Sequence, residues 1–538
     1  MSDPTNTTPS IWERSTTRRL FRWLFSWRGI RRMIIVLAWP VTIIGLLYGE
    51  ENWRGRRAWN QYREATEARG VSLDCRSYIP KPVPDDRNFA ATPFLQSFFL
   101  QPNIPILTND LYARACDNIA AIHKAEGLRH FTDLEAWQLA SAALQNGKLK
   151  REQKFQTDET RLAARAAAAP AVLEGMKPDA AVFSELRAAS TREFSRYAVA
   201  YDLENPCLTL LPHLGRVKTV CSRLCLEACA ELAAGQSDAA LADVKLMLTL
   251  GDSIKSEPFI ISFLVRLACV QIAIKPVWEG LAEHQWTDAQ LQELQARFLS
   301  YDFLADMQRP LRAERASGLQ MVDLAKKMGL GILGDSMEAP RESGAMEDMA
   351  TLLVISRVIP SGWYCLEKLN YSKLFDAYID GLVDLAAKKV SPKKVAINTE
   401  ELERQIEAGS SWREQFKVLL RHRVLAGVLL PSLVNVPTKP AEAQTAANQA
   451  ALACALERYR LANGQFPETL EALTPRFISR APNDVITGQP YKYRRAEDGQ
   501  FILYSVGWNE KDDGGVPGMA LFDLAQGDWV WSYPPNTD

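Results

Sequence analysis

A run without any charged residue spans positions 33–48, which read MIIVLAWPVTIIGLLY. As an α-helix this run is about 24 Å long at about 1.5 Å per residue, slightly less than the ~30 Å hydrocarbon core of a bilayer. Arg31 and Arg32 precede it and can extend its usable length by reaching toward lipid headgroups. The pattern predicts a single transmembrane anchor that contacts the lipid bilayer through residues 33–48.

More arginines precede this run than follow it. Positively charged residues near the ends of a span favour the cytoplasmic side, so the small excess before the run places the N-terminus inside. No small-residue cleavage site follows, which indicates an uncleaved signal anchor. We therefore expect a single-pass protein of the inner (cytoplasmic) membrane, with its bulk periplasmic or otherwise extracytoplasmic. The arginines before the run are Arg14, Arg18, Arg19, Arg22, Arg28, Arg31 and Arg32, and those after it are Arg54, Arg56, Arg57, Arg63 and Arg69.

Two other interpretations of the N-terminal region stay open. The apolar run is short enough to be a buried core helix of a soluble protein. Residues 17–32, TRRLFRWLFSWRGIRR, are basic and aromatic and are typical of a helix that lies on an anionic membrane surface.

Prolines and charge change the pattern after the run. Residues 50–69 are charged and predict a helix that ends at Gly70. Three prolines within YIPKPVPDD, at 78–86, predict an extended strap. Residues 87–106 are apolar but contain further prolines, one of them Pro93, so we expect a packed loop there.

Helical periodicity dominates from about 107 to 440. The clearest helix spans about 216–233, Gly235 ends it, and Ser237 with Asp238 is expected to cap the next helix. Thr287 with Gln290 has the spacing of a capping box. The apolar face of the clearest helix comprises Val217, Val220, Cys221, Leu224, Cys225, Ala228, Cys229 and Leu232.

The last hundred residues combine one helix with short strands. A helix is predicted at 441–463, ended by Asn463-Gly464. Strands at 491–494 and 501–505 flank the turn Asp498-Gly499, and 529–533 adds a third strand. The predicted fold is mainly α, with a small C-terminal α+β module that contains a three-stranded antiparallel sheet.

These patterns divide the chain into five predicted segments. They are a basic N-terminal segment (1–32), a transmembrane anchor (33–48), a helix and proline-rich strap (49–106), an α-helical body (107–440) and the α+β module (441–538).

The module carries an ordered series of motifs. A helix ends in Tyr459-x-x-x-Asn463-Gly464-x-Phe-Pro, a Pro-x-Asp follows at 482–484, then GQPYKYR, then a strand that ends in Tyr-Ser-x-Gly. This series resembles the C-terminal domain of the major pseudopilins of type II secretion, over about 90 residues. The whole chain also resembles large membrane-anchored bacterial proteins of the Verrucomicrobia and Planctomycetes type, and that resemblance implies no particular activity.

The chain departs from the pseudopilin pattern in two ways. Pseudopilins have their apolar helix directly before this module, whereas here some 400 residues separate the two. The pseudopilin leader Gly-Phe-Thr-Leu-Ile-Glu is also missing. The resemblance therefore implies a docking or structural domain more than a fibre subunit.

Calcium binding is a further implication of this resemblance. In pseudopilins this region commonly binds calcium, and the candidate ligands here are Asn509, Asp512, Asp513 and Asp523. Calcium takes several oxygen ligands from a flexible loop, and NEKDDGG provides them. The alternative is a solvated turn rich in Asp and Gly.

Composition excludes some classes of protein. The chain has 538 residues, 63 basic and 64 acidic, and this balance argues against a nucleic-acid-binding protein. Its nine cysteines contain no CxxC pair, so no disulfide framework is predicted. Cys221, Cys225 and Cys229 lie on the apolar face of a predicted helix, where cysteine acts as a small apolar residue.

No motif for catalysis or cofactor binding is present. The five histidines include no HExxH or HxH pattern, and GxSxG, P-loop and GxGxxG patterns are missing. We predict no catalytic residue and favour a non-catalytic envelope protein with a structural or protein-docking role, whose partners are other envelope proteins. Two alternatives stay open, namely a component of type II secretion or of a pilus, and a hydrolase with an unrecognised site in the helical body.

Overall fold

The computed structural model of the 538-residue chain describes residue 23 and residues 26–100, 130–145, 162–329, 359–406, 417 and 419–533. Most of the basic N-terminal segment lies outside these residues. The α-helices are α1 (Trp27–Ala68), α2 (Pro93–Leu100), α3 (Leu134–Gln145), α4 (Leu162–Met176), α5 (Ala180–Ala189), α6 (Pro212–Ala233), α7 (Ser237–Ser253), α8 (Ile260–Ala282), α9 (Asp288–Leu299), α10 (Phe303–Asp306), α11 (Gln308–Met328), α12 (Ser361–Tyr378), α13 (Pro392–Ile406), α14 (Val424–Leu429), α15 (Pro431–Val434) and α16 (Thr438–Asn463).

The strands form two small antiparallel sheets. The first is the pair β1 (Val383–Asp384) and β2 (Lys389–Val390). The second has the order β3 (Lys492–Arg495), β4 (Phe501–Ser505) and β5 (Trp529–Trp531). Tyr493 pairs with Leu503 and Leu503 with Trp531, which fixes the register of the three strands.

The described chain divides into two compact units. Unit 1 comprises the described residues of Met1–Ala65 and Ala325–Asn370, and unit 2 comprises those of Thr66–Leu324 and Tyr371–Asp538.

In unit 1, helix α1 meets the start of α12 at two glycines. A Cβ on Gly55 would lie 2.2 Å from the Gly362 carbonyl oxygen, so neither helix tolerates a side chain at the crossing. Asn52 of α1 also caps α12, because its Oδ1 accepts hydrogen bonds from the Gly362 amide at 2.6 Å and the Ser361 hydroxyl at 2.8 Å. The C-terminal half of α1 is therefore packed against protein.

In unit 2, α6 and α7 form an antiparallel hairpin that packs on α8. The hairpin turns at Gly235, whose φ of 74° suits glycine. Helix α8 is apolar enough to cross a membrane, but 61% of its most apolar window is buried inside unit 2. It is therefore a core helix of this unit.

Helix α16 lies at the centre of the same unit. It packs on α8, α9 and α10 and also contacts β4. Nearly all of its residues from Thr438 to Glu457 are buried, including polar ones. Gln449 Nε2 donates to the Trp529 carbonyl at 2.7 Å, and Gln444 Oε1 accepts from the Phe303 amide at 2.7 Å. These bonds tie the sheet and the helical body to one helix.

Several expectations from the sequence are confirmed. The fold is mainly α with an apolar N-terminal helix and a C-terminal three-stranded antiparallel sheet. The helix after the apolar run ends at Ala68, shortly before Gly70, and α16 ends at Asn463, followed by Gly464 with φ 82°. The capping box is formed in full, since Thr287 accepts from the Gln290 amide and Gln290 Oε1 accepts from the Thr287 amide.

Two local expectations are wrong. Residues 93–100 form α2 instead of a loop, because Pro93 begins the helix, where its missing N–H costs nothing. Ser237 and Asp238 do not cap α7. Their side chains accept hydrogen bonds from Gln290 Nε2 instead, while Gln236 occupies the cap position without a side-chain bond.

The boundary expected at 440/441 falls inside α16. Because that helix is buried among helices of the body, the α+β module and the helical body belong to one unit.

Candidate functional site

Two glutamates project from the last two turns of α6 toward α7. Glu227 and Glu231 are four residues apart and so lie on the same side of the helix. Asp243 comes from the second turn of α7. Because the hairpin is short and antiparallel, it brings all three carboxylates together.

The three carboxylates converge closely. One oxygen from each lies within 4.8 Å of an oxygen of each of the others. Asp243 is fully buried, Glu231 is 7% exposed and Glu227 is half-buried. Among the described residues this is the one group of three or more His, Cys, Asp or Glu side chains whose ligand atoms meet in this way.

Arg187 of α5 is the positive charge at this cluster. Its Nη2 donates to Asp243 Oδ1. The other oxygen, Asp243 Oδ2, is buried and accepts no hydrogen bond from any described residue. Glu227 Oε2 and Glu231 Oε2 are also buried without a hydrogen-bond partner in the described part of the chain. Buried carboxylate oxygens normally have partners, so three together are unusual.

The surroundings of the cluster oppose full ionisation. Burial, and then the charge of Asp243, raises the pKa of Glu227 from 4.5 to about 8. Burial and the neighbouring charges of Asp243 and Glu227 raise the pKa of Glu231, and burial raises that of Asp243 although Arg187 opposes it. Without a further cation, the cluster therefore retains protons at neutral pH.

The pattern of the sequence did not reveal this cluster, because 64 acidic residues make any acidic pair commonplace. One signal was available. Like charges four residues apart destabilise a helix, and negative charge is unfavourable near a helix C-terminus. Glu227 and Glu231 break both rules near the end of α6.

The predicted calcium ligands lie in the loop between β4 and β5, and the structure brings only some of them together. Asn509 Nδ2 donates to Asp513 Oδ2 at 3.2 Å, and Lys511 Nζ lies 3.2 Å from the other oxygen of Asp513. Asp512 accepts instead from the Tyr504 hydroxyl at 3.2 Å. Asp523 binds backbone amides of its own turn, at Met519, Ala525 and Gln526.

A carboxylate that the sequence did not single out organises this loop. The two oxygens of Asp528 accept from the amides of Asp513 at 3.2 Å and Gly515 at 2.6 Å. The Gly515 backbone has φ 82°, which favours glycine. Calcium binding by Asn509, Asp512, Asp513 and Asp523 stays a prediction.

The motif residues of the C-terminal module have structural roles. Asp484, from the Pro-x-Asp motif, is buried and accepts from the Ile486 amide at 3.0 Å and from the Ser505 hydroxyl at 2.9 Å. It thereby joins its own loop to the end of β4. These contacts maintain the module.

The cysteines of α6 and His213 pack inside unit 2. Cys221 and Cys229 are fully buried on α6, and Cys225 is partly buried. His213 is buried between aromatic rings, and its Nε2 lies 2.7 Å from Glu257 Oε1.

The apolar part of α1 differs from every buried helix described above. None of the residues in its most apolar window is buried inside the protein. Large side chains such as Leu37, Trp39 and Leu46 expose 57–68% of their area. Contiguous apolar surface of this kind is rare on soluble proteins. The helix continues without a break into the packed residues near Gly55.

The chain matches no protein-family model, no curated protein and no solved structure.

Proposed function

We propose that this chain is a single-pass membrane protein of the bacterial inner membrane with a non-catalytic, structural or protein-docking role. Residues 33–48 are its anchor, and its two folded units lie on the extracytoplasmic side. The observation that carries this proposal is the exposed apolar surface of α1. A single continuous helix then runs from the bilayer into the protein-packed half of α1, so the anchor holds unit 1 directly.

The length and flanks of α1 support this assignment. Trp27 and Trp53 are exposed before and after the apolar segment, and interfacial aromatics are typical of membrane–water boundaries. Pro40 lies inside the apolar segment, where a membrane helix accommodates proline. Arg28, Arg31 and Arg32 precede the segment and favour a cytoplasmic N-terminus.

Membrane extraction tests the anchor. The full chain is expected to sediment with membranes after an alkaline carbonate wash and to be released by detergent. The double variant Val36→Arg, Ile44→Arg is expected to be released by the wash, because two arginines near the middle of the segment each cost about 2.5–3.5 kcal/mol in the bilayer.

The matched control variant also introduces two arginines into α1, but outside residues 33–48. Gln61→Arg with Glu64→Arg changes exposed positions of the same helix and is expected to remain with the membranes. Release of the unaltered chain by carbonate would overturn the anchor.

The docking role is tested separately. Affinity purification of the detergent-extracted chain is expected to recover envelope proteins in amounts proportional to the amount of the chain. Recovery of nothing above background would count against docking. Recovery of type II secretion proteins would favour the alternative role in secretion, which rests on the order of motifs in residues 455–515.

A further inference from the structure

The carboxylate cluster on the α6–α7 hairpin has the geometry of an ion site. An octahedral Mg²⁺ or Mn²⁺ has oxygens at about 2.1 Å, so its ligand atoms lie about 3 Å apart when adjacent and about 4 Å when opposite. The oxygens of Glu227, Glu231 and Asp243 lie within 4.8 Å of each other. Bonding to one ion therefore requires the three oxygens to move closer together.

The side chain of Glu231 is a second indication that a ligand belongs at the cluster. This side chain is more than nine-tenths buried, and its carboxylate is directed at those of Glu227 and Asp243. No described residue donates a hydrogen bond to its Oε2. An ionised carboxylate in this position costs several kcal/mol unless a cation or a proton neutralises it.

The local charge matches a divalent ion. Three ionised carboxylates and the Arg187 guanidinium sum to two negative charges, which one divalent cation neutralises. Arg187 holds Asp243 through Oδ1 and leaves Oδ2 for the ion, so it acts as a positioning residue. The nearby carboxylate of Asp179 is paired with Arg223 at 3.4 Å, and that pair leaves the sum unchanged.

We propose that Glu227, Glu231 and Asp243 bind one hard divalent cation of the Mg²⁺ or Mn²⁺ class, which joins α6 to α7. All three ligands are carboxylates, which suit hard cations, whereas zinc prefers nitrogen and sulfur. Calcium usually takes additional backbone carbonyls from a flexible loop. Here the backbone around Glu227 and Glu231 is helical and its carbonyls serve the helix, so water supplies the remaining positions.

The ion has a route to the site, because Glu227 is only partly buried while Glu231 and Asp243 lie deeper. The role of the ion is structural, because it replaces the repulsion between the carboxylates of α6 and α7 with coordination by all three. The inference concerns unit 2 alone and does not depend on the membrane anchor.

Manganese binding to the full chain tests this site. The detergent-solubilised protein is first stripped with a chelator and then titrated with Mn²⁺, with free Mn²⁺ measured by electron paramagnetic resonance. We expect one saturable site per chain, Mg²⁺ competition for it, and a rise in the thermal midpoint with Mn²⁺. Absence of saturable binding up to about 1 mM, the weak end of known oxygen-ligand sites, would overturn the proposal.

Two neutral variants localise the site. Glu231→Gln and Glu227→Gln keep the side-chain shape and remove one ligand charge each, so each is expected to weaken Mn²⁺ binding about tenfold or more. An amide tolerates the buried position of Glu231 better than an unpaired carboxylate, so this variant should fold, as circular dichroism can verify. If it does not fold, Glu227→Gln at the half-buried position decides the question.

Two controls separate this cluster from other acidic residues. Glu400→Gln makes the same change on α13, where the side chain is 76% exposed. Asp513→Asn alters the predicted calcium loop. Both are expected to bind Mn²⁺ as the unaltered chain does. Equal loss in all four variants, or full binding in the Glu227 and Glu231 variants, would contradict the proposed site.

Discussion

At the residue scale, two buried glutamates of unit 2 have opposite surroundings. Glu279 is fully buried, and its oxygens accept from Arg165 at 2.5 Å and from the amide and hydroxyl of Thr132 at 2.7 Å each. Burial alone would raise its pKa, but Arg165, Lys275 and these hydrogen bonds hold the pKa below 4.5. Glu231 has no comparable partners, and its pKa moves the other way.

Arg165 should therefore be important for stability. Arg165→Met leaves Glu279 buried without its main counter-charge, and we expect the free energy of unfolding to fall by about 3–5 kcal/mol. Denaturant unfolding followed by tryptophan fluorescence measures this change. Arg404→Met removes a solvent-exposed partner of Glu401 and serves as control, with a change below about 1 kcal/mol. Equal effects of the two variants would contradict this account.

The sequence pattern does not predict the partners of Glu279, and for Glu231 its one signal is the like charge of Glu227 four residues earlier. Both positions lie on helices whose apolar faces are predictable, but the partner of Glu279 comes from a different helix more than a hundred residues earlier. Cysteines on α6 were correctly interpreted as core, because their spacing follows the apolar face. Which charged residues pair across the fold depends on how the helices pack. The spacing of apolar residues along the chain carries no information about that packing.

At the element scale, α1 has two different surroundings along its length. Its first half is apolar and exposed, while its second half packs on α12 through Gly55 and Gly362. Helices approach this closely only where small residues meet. Sequence reasoning predicted both halves as helical but separated them at residue 49, since the change from apolar to charged residues looks like a boundary.

Alanine substitutions at two glycines of α1 are expected to have opposite effects. Gly55→Ala places a methyl group 2.2 Å from the Gly362 carbonyl oxygen, and we expect a loss of about 1–3 kcal/mol in unfolding free energy. Gly49→Ala meets no atom within 4 Å and should gain about 0.5–1 kcal/mol from helix propensity. Thermal unfolding in detergent measures both. A stabilised Gly55 variant would contradict the close crossing.

The other elements show where periodicity is sufficient and where it is not. The C-terminal hairpin is predictable because the turn Asp498-Gly499 lies between two short segments, 491–494 and 501–505, of which the second is apolar. Helix α2 was missed because a proline within an apolar stretch suggests a break, although Pro93 begins the helix. The sequence predicts α16 as a helix but not its burial. Nearly all of its residues from Thr438 to Glu457 are buried, since its alanines let neighbouring helices approach and its amides find partners.

At the scale of the whole molecule, the C-terminal module is part of unit 2. Ala447, Ala450, Ala451 and Ala455 of α16 are fully buried, and the helix packs on α8 and α9 of the body. The sequence predicts a separate α+β module at 441–538. The packing makes it dependent on the body.

An isolated fragment tests this dependence. Residues 441–538 alone would expose the faces of α16 that α8 and α9 cover, so we expect poor amide dispersion in the proton–nitrogen spectrum of the fragment. The same fragment in concentrated urea provides the unfolded reference. A well-dispersed spectrum would show that the module folds by itself and would contradict its integration into unit 2.

The central claim is that the apolar half of α1 is retained as a membrane anchor. A signal sequence that is removed would have the same composition, and only the mature protein separates the two. The most direct measurement is therefore the intact mass of the chain purified from the membrane fraction of cells that produce it. We predict a mass that includes residues 33–48, close to the 60.3 kDa of the whole chain. A mature chain that begins after residue 48 and fractionates with soluble proteins would contradict the account.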